Sequence, residues 1–226
     1  MAEYPPFAVS ADAVVFTLRE GRLAILLVER LNDPYRGRLA LPGGFVEPDE
    51  DAEAAALREL REETGVVGGY IEQLRTYSAP ERDPRMRVVT VAHMVLMPFV
   101  NAVAGDDAAA VRLVDVDDLH MDDLAFDHAV ILADALERLR SKVEYTDIAS
   151  GLLPGEFTID QLLDVYKAVW GTRPDPANFR RKMLRSGVIV ASGGRARTGG
   201  RPALLYRVGG HALLNPPLTR LSEVTQ

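Results

Sequence analysis

Between Gly44 and Val66 the chain carries a glycine, a glutamate six residues later at Glu50, and then Arg58-Glu59-Leu60-Arg61-Glu62-Glu63-Thr64-Gly65-Val66. Small residues and leucine fill Ala52 to Leu57, and Gly65 supplies a C-terminal stop, so the spacing predicts a helix over about residues 51–63. Glu59, Glu62 and Glu63 stand three and four apart, which puts their carboxylates on one side of that helix. Three clustered carboxylates repel one another unless a hard cation sits among them, and oxygen ligands suit Mg²⁺ or Mn²⁺. Such a cation neutralises phosphate charge and activates water for attack at phosphorus. Glu59, Glu62 and Glu63 are therefore candidate metal ligands and catalytic groups. Arg58, four residues before Glu62, is placed to orient it, and Leu57 and Leu60 face the core. Leu41-Pro42-Gly43-Gly44 reads as a tight loop, with Gly43 and Gly44 letting backbone approach a ligand closely. The competing reading is a surface helix laced by ion pairs four residues apart, which a lone Glu-Glu pair would favour and the full 23-residue pattern does not.

At 226 residues the chain is long enough for one large domain or two modest ones. It has no cysteine, which excludes disulfides, a thiolate nucleophile and cysteine-bound zinc. Met1-Ala2-Glu3-Tyr4-Pro5-Pro6 shows no secretory pattern, and no eighteen apolar residues run together, so a cytoplasmic protein without a membrane partner is expected. The net charge of −7 hides a division. Residues 1–150 hold 15 basic and 28 acidic residues, a balance of −13, whereas residues 151–226 hold 11 and 5, a balance of +6. That asymmetry is expected when only the C-terminal part meets a polyanion.

Strands are predicted at Phe7 to Leu18, Leu23 to Val28, Tyr70 to Tyr77, Val88 to Val100 and Arg112 to Val116. Asp127 reads as the cap of a helix to about Lys142, with Ile131, Leu132, Leu136 and Leu139 on one stripe. Strands with helices between them indicate an α/β sandwich on a mixed sheet for about residues 1–145. From residue 146 the pattern changes. Ile159, Leu162, Leu163, Tyr166, Val169 and Trp170 recur at helical spacing up to Gly171. Asp175-Pro176 then opens a second, basic helix that Gly187 stops. Val188 to Val190 and Ala203 to Arg207 read as strands flanking a glycine- and arginine-rich loop. Helix, turn, basic helix and hairpin is the order of a winged helix-turn-helix.

In that layout the second helix enters the major groove. Arg180, Arg181, Lys182 and Arg185 then meet phosphates or guanine edges, and Asn178 has the amide geometry for adenine. Arg173 lies in the preceding turn, while Arg195, Arg197 and Arg201 on the wing reach phosphate or a narrow minor groove. A small basic domain serving protein contacts or dimerisation is the alternative reading.

The Gly44–Val66 pattern resembles the Nudix box at each of its seven invariant positions, a coincidence of roughly 10⁻⁸ at any one start. Taken with Leu41-Pro42-Gly43-Gly44-Phe45-Val46, Arg82-Asp83-Pro84-Arg85, Leu124-Ala125-Phe126-Asp127-His128, Asn178-Phe179-Arg180-Arg181-Lys182 and Gly200-Arg201-Pro202-Ala203-Leu204-Leu205-Tyr206, nearly the whole chain resembles the Nudix-related transcriptional regulators of NAD metabolism. The resemblance implies a Nudix α/β/α sandwich fused to a winged helix, acting as a homodimeric repressor of NAD-biosynthesis or salvage genes. It also implies that ADP-ribose, or a related nucleotide, binds the Nudix domain and releases operator DNA. The Nudix part is similar to ADP-ribose pyrophosphatases. Many of these regulators carry an eroded box, whereas here Glu59, Glu62 and Glu63 are all present, so Mg²⁺- or Mn²⁺-dependent hydrolysis stays open as an alternative. No general base outside the box is identified. Arg82, Arg85 and Arg87 are candidate pyrophosphate or ribose contacts, with a surface loop joining acidic faces of a dimer as the equal alternative. His93 is expected as a satisfied core histidine, and His128 as a structural one near the domain junction.

Overall fold

The computed structural model describes residues 5–102, 108–197, 202–210 and 213–220. Packing divides the chain into two compact units, Met1–Thr17 with Ala24–Leu136, and Leu18–Leu23 with Glu137–Gln226. The sequence boundary at 145/146 lies nine residues beyond this division at 136/137, which falls inside a helix. Among the described residues no helix is long and apolar enough to cross a membrane.

The first unit is built on β1 (Ala8–Arg19), β2 (Arg22–Arg30), β3 (Leu39–Ala40), β4 (Gly43–Phe45), α1 (Ala52–Thr64), β5 (Tyr70–Tyr77), β6 (Val88–Leu96) and β7 (Ala108–Asp115). Its sheet runs β3-β2-β1-β6-β5, with β4 added to β1 and β7 to β2. β1 lies parallel to β6, from Ala8↔Val88 to Phe16↔Leu96, while β4, β5 and β7 pair antiparallel to their neighbours, so the sheet is mixed. Glu20 and Gly21 turn β1 into β2 with φ of 52° and 78°, the two positive values that a tight hairpin of this twist requires. β6 stops at Leu96, short of the expected Val100, because Pro98 has no N–H to continue the ladder.

Side chains alternate along β1, and the two faces meet different helices. Ala11 packs on Ala55 and Ala56 of α1, and Ala13 and Val15 join Leu60 in a core cluster. The other face turns Asp12 toward His128, the first residue of α2 (His128–Lys142). Eight consecutive β1 residues, Ser10 to Thr17, are buried, as a central strand covered on both sides demands. The arrangement is the expected α/β/α sandwich.

The second unit contains α3 (Ile159–Trp170), α4 (Pro176–Ser186) and the hairpin β8 (Ile189–Ala196) and β9 (Ala203–Val208). Thr158 and Gln161 close a reciprocal capping box on α3, and Gly171 ends it at φ 74°. Asp175 caps α4 by accepting from the Asn178 N–H at 2.8 Å, Pro176 stands at the first helical turn, and Gly187 ends it. The Tyr166 ring meets Trp170 at 5.0 Å and Phe179 at 4.9 Å, both edge-on, which locks α3 against α4. Phe157 adds a bridge to Tyr206 beside the hairpin. β8 runs six residues beyond the expected Val190, through Ser192-Gly193-Gly194-Arg195-Ala196. A register shift between Ala191 and Arg195, with Gly193 at φ 90°, absorbs the glycines that had suggested a loop.

Candidate functional site

α1 arises where the sequence places it, with Asp51 accepting from Ala54 N–H at 2.8 Å and Gly65 at φ 69° ending it. The carboxylates on it are engaged by groups of the protein itself. The Arg58 guanidinium grips Glu50 through Nε (3.0 Å) and Nη2 (2.6 Å), and its Nη1 spans Glu59 (2.8 Å) and Glu62 (3.2 Å). Nη2 also donates to the Phe45 carbonyl at 3.1 Å, tying the helix to β4. These bonds raise the Arg58 pKa, and the Arg58 bond holds the Glu50 carboxyl below its usual range. Burial pushes the Glu59 carboxyl up, outweighing the pull of Arg58. Glu63 accepts from the Gly43 N–H at 3.0 Å. The oxygen-donor chemistry of Glu59, Glu62 and Glu63 suits a hard divalent cation. Among the described residues no group of three His, Asp or Glu side chains is placed to hold one; Arg58 bonds Glu59 and Glu62, and Glu63 accepts from the Gly43 N–H.

Gly43 and Gly44 form strand β4 rather than a tight turn, pairing with Asp12 and Ala11. Their reason for lacking a side chain is nevertheless close approach. A Cβ on Gly43 would lie 2.5 Å from the Ala11 carbonyl, and one on Gly44 would overlap the Glu59 carboxylate.

Beside β4 opens a cavity of about 220 Å³. Gly43, Gly44 and Glu63 line one part of it; Arg30, Arg85 and Phe126 line another; Asp12, Arg82 and His128 also border it. Thr90 Oγ1 donates to Asp12 at 2.6 Å. Arg82 grips Asp127 with Nε (3.0 Å) and Nη2 (2.8 Å), and Nη2 lies 3.6 Å from Asp12. His128 Nδ1 accepts from the Leu41 N–H at 2.9 Å. Burial pushes the His128 pKa down, against the nearby Asp12, so the neutral ring carries its proton on Nε2, 3.9 Å from Asp12 Oδ1. Phe126, at φ 53°, sits beneath the Arg30 guanidinium at 4.7 Å and near that of Arg85 at 5.8 Å, with Tyr35 against its edge at 4.8 Å. Burial and then the like charge of Arg85 lower the Arg30 pKa.

In the second unit, Phe179 and Met183 fix the buried side of α4, leaving Arg180, Arg181 and Arg185 exposed. Arg180 reaches the Tyr206 hydroxyl at 3.3 Å, and Arg181 donates to the Asn178 amide oxygen at 2.7 Å. Lys182 is half-buried, its ammonium donating to the Pro217 carbonyl, and burial lowers its pKa. Arg173 is exposed and 3.8 Å from Asp164. Arg195 is exposed on β8 and Arg197 just beyond it, whereas Arg201 lies outside the described residues.

The NUDIX domain family model matches residues 6–135, and the NrtR DNA-binding winged helix domain matches residues 149–208. The "ADPR responsive transcriptional repressor NtrR" of Acinetobacter baylyi is 36% identical over 209 residues, which are 91% of this chain and 84% of that protein. The chain belongs to the NrtR family. Shewanella oneidensis NrtR, in a crystal structure with a 27mer DNA, superposes with a TM-score of 0.77 at 34% identity, over 88% of this chain and 93% of that one. The Nudix domain of the same Shewanella protein, crystallised with ADP-ribose, matches with a TM-score of 0.56 at 37% identity, over 60% of this chain and 90% of that domain.

For this NrtR-family chain the three loop arginines part company. Arg85 lines the cavity, bonded to Asp83 at 2.7 and 3.0 Å. Arg82 also lines it but is 7% exposed, which removes the surface-loop alternative for that residue. Arg87 is not among the lining residues; it donates to the Ala79 carbonyl and covers Phe7. Sequence reasoning missed Asp12, Arg30, Phe126 and His128 as cavity residues, although Phe126 and His128 lie in the Leu124-Ala125-Phe126-Asp127-His128 stretch that carries the family resemblance. His93 is buried as expected, and among the described residues its Nδ1 has no hydrogen-bond partner.

Proposed function

We propose that this NrtR-family protein is a ligand-responsive repressor of NAD-biosynthesis or salvage genes, working as a homodimer. Its winged helix binds operator DNA, and ADP-ribose or a related nucleotide in the Nudix cavity releases it. The observation that carries the DNA role is the exposure of Arg180, Arg181 and Arg185 on the helix that a winged helix presents to the major groove. The ligand role rests on the cavity beside β4, which sets arginines and an aromatic ring near the glycine backbone and Glu63. Arg85, Gly43 and Gly44 are assigned to the ligand's pyrophosphate and ribose. Arg82, already committed to Asp127, shapes the cavity wall. Release requires only that nucleotide and operator favour different dimer geometries, and the coupling must then be reciprocal. This reading puts the domain division at 145/146, in the gap between the stretches 6–135 and 149–208. A gel-shift series on the chain's own promoter, with and without ADP-ribose, tests the reading. A specific band that ADP-ribose removes is expected, and no band at physiological salt overturns it.

The complete Nudix box favours a second reading, Mg²⁺- or Mn²⁺-dependent ADP-ribose hydrolysis. When bound, the cation supplies charge neutralisation at the diphosphate and a more acidic water. Glu59, Glu62 and Glu63 are the residues that would hold it, once Arg58 and the Gly43 N–H yield their carboxylates. Product formation with Mg²⁺, lost in Glu62→Gln, is the expected signature; equal null rates beside tight ADP-ribose binding leave only the sensor.

A further inference from the structure

Residues 213–220 lie beyond the stretch that the winged-helix family model matches, which ends at residue 208, yet they are built into the same unit. Leu214 and Leu218 are 2% and 6% exposed, and their N–H groups donate to the Tyr145 and Glu144 carbonyls at 3.0 and 2.8 Å. Arg220 lies 3.7 Å from Glu137. Two buried leucines and two backbone bonds make this an ordered strap rather than a loose tail. Between the anchors, Asn215, Pro216 and Pro217 are exposed, and the Pro217 carbonyl takes the Lys182 ammonium.

The result is a cleft between α4 and the strap, lined by Asn178, Arg181, Lys182, Arg185, Asn215 and Pro216 together with Ser186. Asn178, Arg181, Lys182 and Arg185 follow the spacing that puts residues on one helix face. Three cationic side chains line the cleft, and no carboxylate among the described residues does. Uncompensated guanidinium and ammonium groups held by a fixed wall suit the tetrahedral oxygens of a phosphodiester. We propose that the strap and the α4 face form a phosphate seat that grips the DNA backbone, so the DNA-binding surface extends past the winged helix itself. This rests on the DNA-binding reading above. The seat supplies affinity without base readout, because phosphate contacts carry no sequence information.

The test uses the full-length protein, its promoter duplex and a random-sequence duplex of equal length, titrated over a range of salt. Asn215→Asp places a carboxylate in the cleft at an exposed position. It is expected to weaken both duplexes by a similar factor, about tenfold, and Arg185→Gln to flatten the log K against log salt slope by about 0.9 for one lost phosphate contact. Leu218→Asp, which frees the strap, is expected to weaken both duplexes while ADP-ribose affinity by calorimetry stays unchanged. Wild-type binding with Asn215→Asp and Leu218→Asp both unaltered overturns the seat and leaves the repressor reading intact. Weakening of the promoter duplex alone, with an unaltered slope, also overturns it, since that marks base readout. If wild type binds neither duplex, and inorganic phosphate competes with nothing, both readings fail together.

Discussion

Replacing Arg82 by methionine keeps most of the side-chain volume and removes the charge from the wall of the Nudix cavity. The Arg82 and Asp12 side chains are 4% and 8% exposed, and Asp127 is 20% exposed. The wild-type guanidinium makes two charge-assisted bonds to Asp127, at 2.8 and 3.0 Å, and stands 3.6 Å from Asp12. Without it, two carboxylates lose the cation that both of them face. Breaking a buried pair by deleting one partner costs about 3–5 kcal/mol. Asp127 keeps some solvent, which places the expected loss near the lower end, about 3 kcal/mol. At about 2–4 °C per kcal/mol for a chain of this size, Tm falls by roughly 6–12 °C. Urea unfolding at pH 7.5, followed by far-UV circular dichroism, measures the loss. The fluorescence of Trp170, the chain's single tryptophan, follows the winged helix separately. The double variant Arg82→Met/Asp127→Asn removes one of the stranded charges, so its loss is expected to be smaller than the sum of the two single losses by about 1–3 kcal/mol. A loss below about 1 kcal/mol for Arg82→Met, or strict additivity in the cycle, would refute the argument that this pair holds the wall together.

Gly44→Ala drives a methyl group into the Glu59 carboxylate and is expected to cost about 1–3 kcal/mol in a urea melt; an unchanged midpoint would show that Glu59 swings aside freely. Burial depresses the pKa of both His93 and His128, so the unfolded chain takes up protons before the folded one does. Stability is therefore complete above the ordinary histidine pKa of about 6.5 and falls as pH drops below it, by up to about 1.4 kcal/mol per pH unit for each ring. His128→Gln is expected to remove one proton from that slope, measured as urea midpoints between pH 7.5 and 5.5. Phe179 is 1% exposed beneath α4, and Phe179→Ala is expected to cost about 3–5 kcal/mol and abolish DNA binding. Calorimetry should find its ADP-ribose affinity within about twofold of wild type; joint loss of both affinities would show that the two units do not fold independently.

Several elements were legible because the interactions that make them span only a few residues. Gly65 marks the end of α1, and Asp175-Pro176 with Gly187 the two ends of α4, through bonds no longer than one helical turn. The helical spacing of apolar residues on α3 and the arginines opposite Phe179 and Met183 told which side of each helix is buried. Gly43-Gly44 misled, because a glycine pair reads as a turn, whereas here it answers to the crowding of β1 and Glu59. The glycines of β8 misled in the same way, since only pairing with β9 shows that a bulge absorbs them.

What residues near one another in the chain could establish was therefore the type and ends of most helices, the order of the winged helix and the separation of acidic from basic halves. The tertiary structure alone decided which distant groups meet: Arg82 with Asp127 across 45 positions, Leu41 with His128 across 87, and Phe126 with Arg30. It also decided that Arg58 holds Glu59 and Glu62 while Glu63 faces Gly43, and that residues 213–220 wall one side of α4. The physical reason is that periodicity and capping report energies within a turn or a strand. The meeting of distant side chains depends instead on strand order and layer packing, which no local pattern encodes.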